Sequence, residues 1–260
     1  MDLWEEMEIT KIKDKEKIKS KDYLVREYPL ELYVNDQKWI TLLCTPEYLK
    51  ELAIGYFYSE ALFDNKGQIL DIKTNENKLY IELDIDNFNF YENTHRILSS
   101  GCGKSMVHTF LDGRHLKKVK SEYKFSTNFF FTNIRKIQKE AELFQKTGGV
   151  HNTLLCGQEK DEEKSIFRAD IGRHNAVDKI VGYCILNNIS IEDKVLFSSG
   201  RVSSEILLKT ARAGIPVLAS RSAATDQAVK LAYRLGITLI SFLRGKRMNI
   251  HTHSQRIQIQ

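Results

Sequence analysis

No stretch of this chain approaches the roughly 20 consecutive apolar residues needed to cross a bilayer as a helix. The opening MDLWEEMEITKIKDKEKIKSK also lacks the apolar run of a secretory signal. No membrane association is expected, and the cytoplasm is the expected compartment. The four cysteines, Cys44, Cys102, Cys156 and Cys184, stand far apart, with no CxxC or CxH pair among them. That argues against both a disulfide framework and a structural zinc site. A sustained basic stripe interleaved with aromatics is missing, which argues against nucleic acid as a partner. No internal repeat or low-complexity tract interrupts the chain.

What is present suits a globular protein with a real core: 260 residues, 42% hydrophobic and 28% charged. The net charge of +5 is mild but uneven, with Lys117, Lys118 and Lys120 in one cluster and Arg244, Lys246 and Arg247 in another. Such clusters favour a small phosphate-bearing partner. Residues 1–22 read as a mobile, weakly ordered arm, rich in Lys, Glu and Asp with few apolar positions. Residues 23–126 read as a small α+β domain. It has a hairpin about Asn35-Asp36-Gln37, a helix from Pro46 to about Phe63 opened by Thr45 as N-cap, and a second hairpin about Asn75-Glu76-Asn77. Residues 127–260 change texture to α/β, beginning with a helix from Thr127 to Lys146 stopped by Gly148-Gly149. The element order there is α-β-β-α-β-α-β-α-β, predicting a three-layer α/β/α sandwich whose last three strands are parallel.

In such sheets ligands bind where strands end and helices begin, because free N–H groups and the helix dipole attract anions. Three of these loops carry unusual residues: RADIGRHNAVDK (168–179), SSGRVSSE (198–205) and SRSAATD (220–226). Gly172 with Arg173, Gly200 with Arg201, and the hydroxyls of Ser203, Ser220, Ser222 and Thr225 together suggest a phosphate cradle. The plain alternative is that either arginine bridges to Asp170, Asp178 or Glu205. The element order also matches zinc nucleoside deaminases, which need H-x-E at the first of these helices and P-C-x-x-C at the next. Here His174-Asn175-Ala176 and Gly200-Arg201-Val202-Ser203 stand instead, so neither a metal site nor deamination is expected. In TGGVHN the glycines are explained as a helix stop, which leaves His151 with only a weak functional signal.

Cys102 is different from the other cysteines. Its neighbours Ser99, Ser100, Gly101, Gly103 and Lys104 offer no apolar company, while Cys44, Cys156 and Cys184 lie in or beside apolar segments and read as small buried hydrophobes. Flanking glycines would leave the sulfur accessible, and Lys104 would favour the thiolate. With no resolving thiol nearby, a cysteine that carries something reversibly, for example sulfane sulfur, fits this loop.

Five strings in order, TGG-x-H at 147–151, R-x-D-x-G-R-H-N-A-x-D-K at 168–179, S-G-R-x-S-x-E at 199–205, A-G-I-P-x-x-x-S-x-S-A-x-T at 213–225 and S-F-x-R with its basic end at 241–247, strongly resemble the formate dehydrogenase accessory sulfurtransferase family, FdhD/NarQ. TPEYLKELAIGYFYSEAL from Thr45 and the Cys102 loop resemble it too, so the likeness spans about residues 25–252. The resemblance implies a C-terminal domain similar to the cytidine deaminase fold without zinc, and a homodimer. It further implies a sulfurtransferase that takes sulfur from a cysteine desulfurase as a persulfide on Cys102. The acceptor would be the bis(molybdopterin guanine dinucleotide) cofactor of molybdenum or tungsten, bound as substrate before it enters formate dehydrogenase. Phe242, Leu243, Arg244, Gly245, Lys246 and Arg247 match the family's cofactor-binding stretch, and the guanine nucleotides would suit Arg173 and Arg201. Many members carry C-x-x-C where this chain keeps one cysteine. A chaperone that only holds the cofactor, and a nucleotide binder of degenerate deaminase fold, are the rival expectations.

Overall fold

The computed structural model describes residues 1–85, 116–157 and 165–259. The first two strands, β1 (Trp4–Lys13) and β2 (Glu16–Val25), pair antiparallel. Their Asp14–Lys15 turn has φ of 49° and 71°, the left-handed pair of a type I′ hairpin. The stretch expected to be a weakly ordered arm is thus a regular ribbon, because its few apolar residues fall where they can anchor it. Trp4 and Tyr23 meet edge to face at 4.9 Å, and the Lys146 ammonium lies 3.2 Å above the Trp4 ring.

β3 (Tyr28–Val34), β4 (Gln37–Cys44), α1 (Leu49–Ser59), β5 (Ile69–Asn75) and β6 (Lys78–Leu83) follow. Both expected hairpins are present, and the four strands form a sheet in the order β4-β3-β6-β5, parallel only between β3 and β6. The alternating Leu30, Leu32 and Val34 of β3 and Leu79, Ile81 and Leu83 of β6 bury one face with Leu52, Ala53, Ile54 and Phe57 of α1. The helix is shorter than expected at both ends. Thr45 caps nothing, since its hydroxyl is engaged by Asp170, and Ala61 takes φ 63° just past the last turn.

The second unit runs through β7 (Phe125–Ser126), α2 (Thr127–Lys139), α3 (Glu142–Thr147), β8 (His151–Cys156), β9 (Ile166–Asp170), α4 (Arg173–Leu186), β10 (Val195–Ser198), α5 (Ser204–Ala213), β11 (Val217–Ser220), α6 (Asp226–Leu235), β12 (Thr238–Arg244), β13 (Arg247–Ile250) and β14 (Ile257–Gln258). The single helix expected over 127–146 is two, bent where Ala141 turns into the core, and Gly148 ends the second in left-handed geometry. Six strands form a mixed sheet in the order β13-β12-β11-β10-β8-β9, with β10, β11 and β12 parallel as expected. Successive residues serve opposite faces. Leu154, Phe197, Val217 and Ile240 pack on α2, whereas Leu155, Leu196, Leu218 and Leu239 pack on α4, α5 and α6. Helices therefore cover both sides of the sheet. β7 and β14 pair in parallel away from it.

The two units meet where α1 crosses α4. A Cβ on Gly55 would stand 1.8 Å from the Asp178 carbonyl oxygen, and one on Gly182 would stand 1.9 Å from that of Glu51. Only glycine permits so close a crossing of two backbones. Arg168 closes the same junction, holding Glu51 through Nε and Nη2 at 2.5 and 2.8 Å under the Tyr48 ring. Among the described residues no helix is long and apolar enough to span a membrane.

Candidate functional site: an anion-binding edge of the central sheet

Because β9, β10, β11 and β12 run in one direction and β8 and β13 in the other, six chain segments reach one edge of the sheet. The ends of four strands bring Asp170–Arg173, Ser198–Arg201, Ser220–Ser222 and Ser241–Arg244. The starts of the other two bring His151 and Arg247. Sequence reading treated three of these loops as one cradle, and the topology does bring them together. Gly200 lies against the Arg173 stem, where a Cβ would come within 3.0 Å of Arg173 Cβ and 3.4 Å of His151 Nδ1. The Ser198 carbonyl accepts from Arg221 N at 3.1 Å, and the Arg221 carbonyl accepts from the Arg244 side chain at Nε, 2.9 Å away, so hydrogen bonds stitch one loop to the next.

Two of the three carboxylates named as partners for these arginines bind lysines instead. Asp170 pairs with Lys179 at 2.7 Å and Asp178 with Lys209 at 2.8 Å, all four side chains being buried. Glu205 Oε2 stands 3.0 Å from His174 Nε2, close but short of a well-aligned hydrogen bond. The edge that remains, with Arg201, Arg244, Lys246 and Arg247 exposed and Arg173 half-buried, is cationic and backed by helix N-termini. Burial first, and the Arg173 guanidinium next, hold His151 below its ordinary value; His174 and Arg201 act in the same direction and Asp170 against it. Near neutral pH His151 is therefore an uncharged ring beside the Arg173 and Arg201 guanidiniums.

The FdhD/NarQ family model matches residues 25–258 of the chain. This chain belongs to that family. Among FdhD/NarQ relatives it is 41% identical over 240 residues to "Sulfur carrier protein FdhD" of Bacillus pumilus, covering 91% of this chain and 90% of that one. It is 37% identical over 263 residues to the Bacillus subtilis protein of the same name, covering 99% and 96%. Among solved structures, one from Desulfotalea psychrophila, provisionally assigned as a formate dehydrogenase accessory protein, shares this chain's fold. It superposes with TM-score 0.82 at 22% identity over 99% of this chain and all of that one.

Residues 242–247, expected from the resemblance to bind the cofactor, lie on a hairpin. Arg244 of β12 pairs with Arg247 of β13 across the two-residue turn Gly245–Lys246, in which Gly245 has φ 59°. Phe242 sits in the left-handed region at φ 49°, its backbone N–H held by the Ser222 carbonyl and its ring 40% exposed, beside the Arg244 guanidinium. Leu243 points the other way, fully buried against α2, so its side chain belongs to the core. The hydroxyls behave less uniformly than expected. Ser220 Oγ donates to the Gly200 carbonyl at 2.6 Å and Thr225 caps α6, so both are structural. Ser203 precedes α5 without capping it, and its buried Oγ has no hydrogen-bond partner among the described residues. Sequence reasoning gave His151 only a weak signal and did not single out Arg221; the fold places both at this edge, each at a strand end.

Cys102 lies outside the described residues. Cys44, Cys156 and Cys184 are buried free thiols, each pushed up to about 12 by burial above all. At neutral pH they are protonated and shielded, hence poor nucleophiles. Among the described residues no three His, Cys, Asp or Glu side chains converge on a point where a metal could sit. A second opening of about 450 Å³, lined by α2 with Arg135, Lys136 and Lys139, lies at the far end of β8 near Cys156, on the opposite edge from the arginines.

Proposed function

We propose that this chain is a cytoplasmic, homodimeric sulfur carrier. It takes sulfur from a cysteine desulfurase as a persulfide on Cys102 and passes it to the bis(molybdopterin guanine dinucleotide) cofactor destined for formate dehydrogenase. The observation that carries the reading is the cationic edge itself, where strand-end loops set Arg173, Arg201 and Arg244 along one side of the sheet, in a chain whose relatives are named sulfur carriers. Guanidiniums suit the pyrophosphates of a dinucleotide, the Gly200 turn lets the backbone approach, and the exposed Phe242 ring offers a face for guanine to stack on. We read the second unit as similar to the cytidine deaminase fold without its zinc. His174 stands where the first ligand would and faces Glu205 rather than thiolates.

The chemistry fixes one further requirement. The Cys102 thiolate attacks the outer sulfur of the desulfurase's own persulfide; the desulfurase S–S bond breaks, its cysteine leaves as a thiolate, and a new S–S bond forms on Cys102. Releasing that sulfur as sulfide breaks the bond and consumes two electrons, returning Cys102 to a thiolate. Cys44, Cys156 and Cys184 are too buried to supply them, which favours an external thiol that leaves as a disulfide. Incubation with a desulfurase and cysteine, followed by mass spectrometry of the intact chain, tests the reading. Wild type should gain one sulfur mass, mapping to Cys102, and Cys102→Ser should gain none while still binding guanosine diphosphate. A wild-type chain that gains no sulfur but binds the nucleotide points to a holding chaperone. Normal formate dehydrogenase activation by Cys102→Ser would end the carrier assignment.

A further inference from the structure

We propose that Asp170 is a positioning residue for the anion-binding edge: one buried carboxylate sets where Arg173 stands and ties that position to the first unit of the chain. The proposal rests on the guanine-nucleotide reading above. Asp170 has no exposed surface, and each of its oxygens serves a different part of the molecule. Oδ1 accepts from Gly172 N and from Asn175 Nδ2, both at 2.9 Å, and so holds the turn that opens α4. Oδ2 accepts from Thr45 N and Thr45 Oγ1, both at 3.0 Å, and from Lys179 Nζ at 2.7 Å. Lys179, equally buried, also donates to Thr45 Oγ1 at 2.6 Å and to the Ala169 carbonyl at 3.2 Å.

Three considerations favour positioning over bulk stability. A buried ion pair is a poor way to stabilise a core, since well-packed apolar residues do as well or better. It is a good way to fix one geometry. Next, Gly172 is the N-cap of α4 and has no side chain, so the restraint on the helix start comes from the carboxylate two residues upstream. Arg173 is the first residue of that helix, and its stem is confined on the other side by Gly200. Finally, the Oδ2 donors come from Thr45, directly after β4, and from Lys179, one residue past the Gly55–Gly182 crossing contact at Asp178. The junction of the two units and the first turn of the binding loop thus share a single acceptor.

The test is calorimetric titration of the full chain with guanosine diphosphate, for wild type, Asp170→Asn, Arg173→Ala and the double variant. Each single change should weaken binding about tenfold, and the double variant should be little weaker than either, because both remove the same contact. Phe130→Leu, destabilised in the core under α2 on the opposite face of the sheet from α4, should bind as wild type does. If Asp170→Asn does not fold, Asn175→Ala, which removes one Oδ1 donor, should show the same non-additivity with Arg173→Ala at about threefold. Unchanged affinity in a folded Asp170→Asn, or losses that multiply to about a hundredfold in the double variant, would overturn the positioning role alone. A wild-type chain that does not bind the nucleotide would overturn the underlying reading and this proposal with it.

Discussion

Replacing Gly55 by alanine puts the strongest strain on the crossing of α1 and α4. The added carbon would stand 1.8 Å from the Asp178 carbonyl oxygen, and real Cβ atoms essentially never come closer than 3.0 Å, so about 1.2 Å of separation is required. The obstacle is helix backbone, which cannot rotate aside, and opening the crossing also loosens the bond of Ser59 Oγ to Asp178 at 2.8 Å. Overpacking of this kind costs about 3 kcal/mol at the upper end of its usual range. Alanine returns about 1 kcal/mol of helix propensity. The net loss is about 2 kcal/mol. With a urea slope of about 3 kcal/mol/M for a chain of this size, the midpoint should fall by about 0.7 M. Urea unfolding followed by fluorescence and by circular dichroism measures it, and coincident curves justify the two-state treatment. Gly182→Ala should behave alike, and the double variant should lose less than the sum, since one separation serves both carbons. A rise in midpoint, or a fall under about 0.2 M, would refute the close crossing.

Alkylation by iodoacetamide at pH 7.5 should modify at most one thiol per native chain, at Cys102, because burial pushes Cys44, Cys156 and Cys184 up to about 12; peptide mapping with and without urea checks this. His151 is held below its ordinary 6.5 in the folded chain, so its contribution to stability is complete above that value. It is lost as pH falls below 6.5, where the unfolded chain takes the proton first. Urea midpoints at pH 7.5 and 5.5 should therefore differ less in His151→Asn than in wild type, and equal differences would remove the basis for a neutral imidazole. Lys209→Met strands the Asp178 carboxylate, which is 1% exposed, at a cost of about 3–5 kcal/mol, whereas Lys209→Met with Asp178→Leu should recover most of it. Thermal melts of the two variants decide, and a single variant that melts like wild type contradicts the buried pair.

Much of the second unit was legible because its strands and helices announce themselves by period. VLFS and VLAS are largely apolar runs of parallel strands, and Gly148 ends a helix where a stop was expected, as Gly214 and Gly236 end two more. The cradle loops were legible for the same reason, since strand ends on one edge follow from topology alone. Tertiary partners were not. Thr45 looks like an N-cap in any local reading, yet its hydroxyl bonds to Asp170, 125 positions away. The opening ribbon was missed because Trp4 and Tyr23 find their cation in Lys146, which no local pattern announces. Leu243, grouped with the binding stretch by its neighbours, obeys strand alternation and turns inward.

The pairing of β7 with β14 has a consequence for how the chain is made. Phe125 belongs to the core under α2, yet its strand partner is Ile257, and Arg256 reaches back to the carbonyls of Ser121 and Gly236 at 3.1 and 2.8 Å. During synthesis the four-stranded sheet and α1 emerge early and can begin to fold. The segment that enters the second unit must wait until nearly all of that unit has emerged from the ribosome. The clasp is then the last seam to close, and bulky sequence fused just beyond residue 258 should hinder assembly of the second unit more than an equal fusion before Trp4.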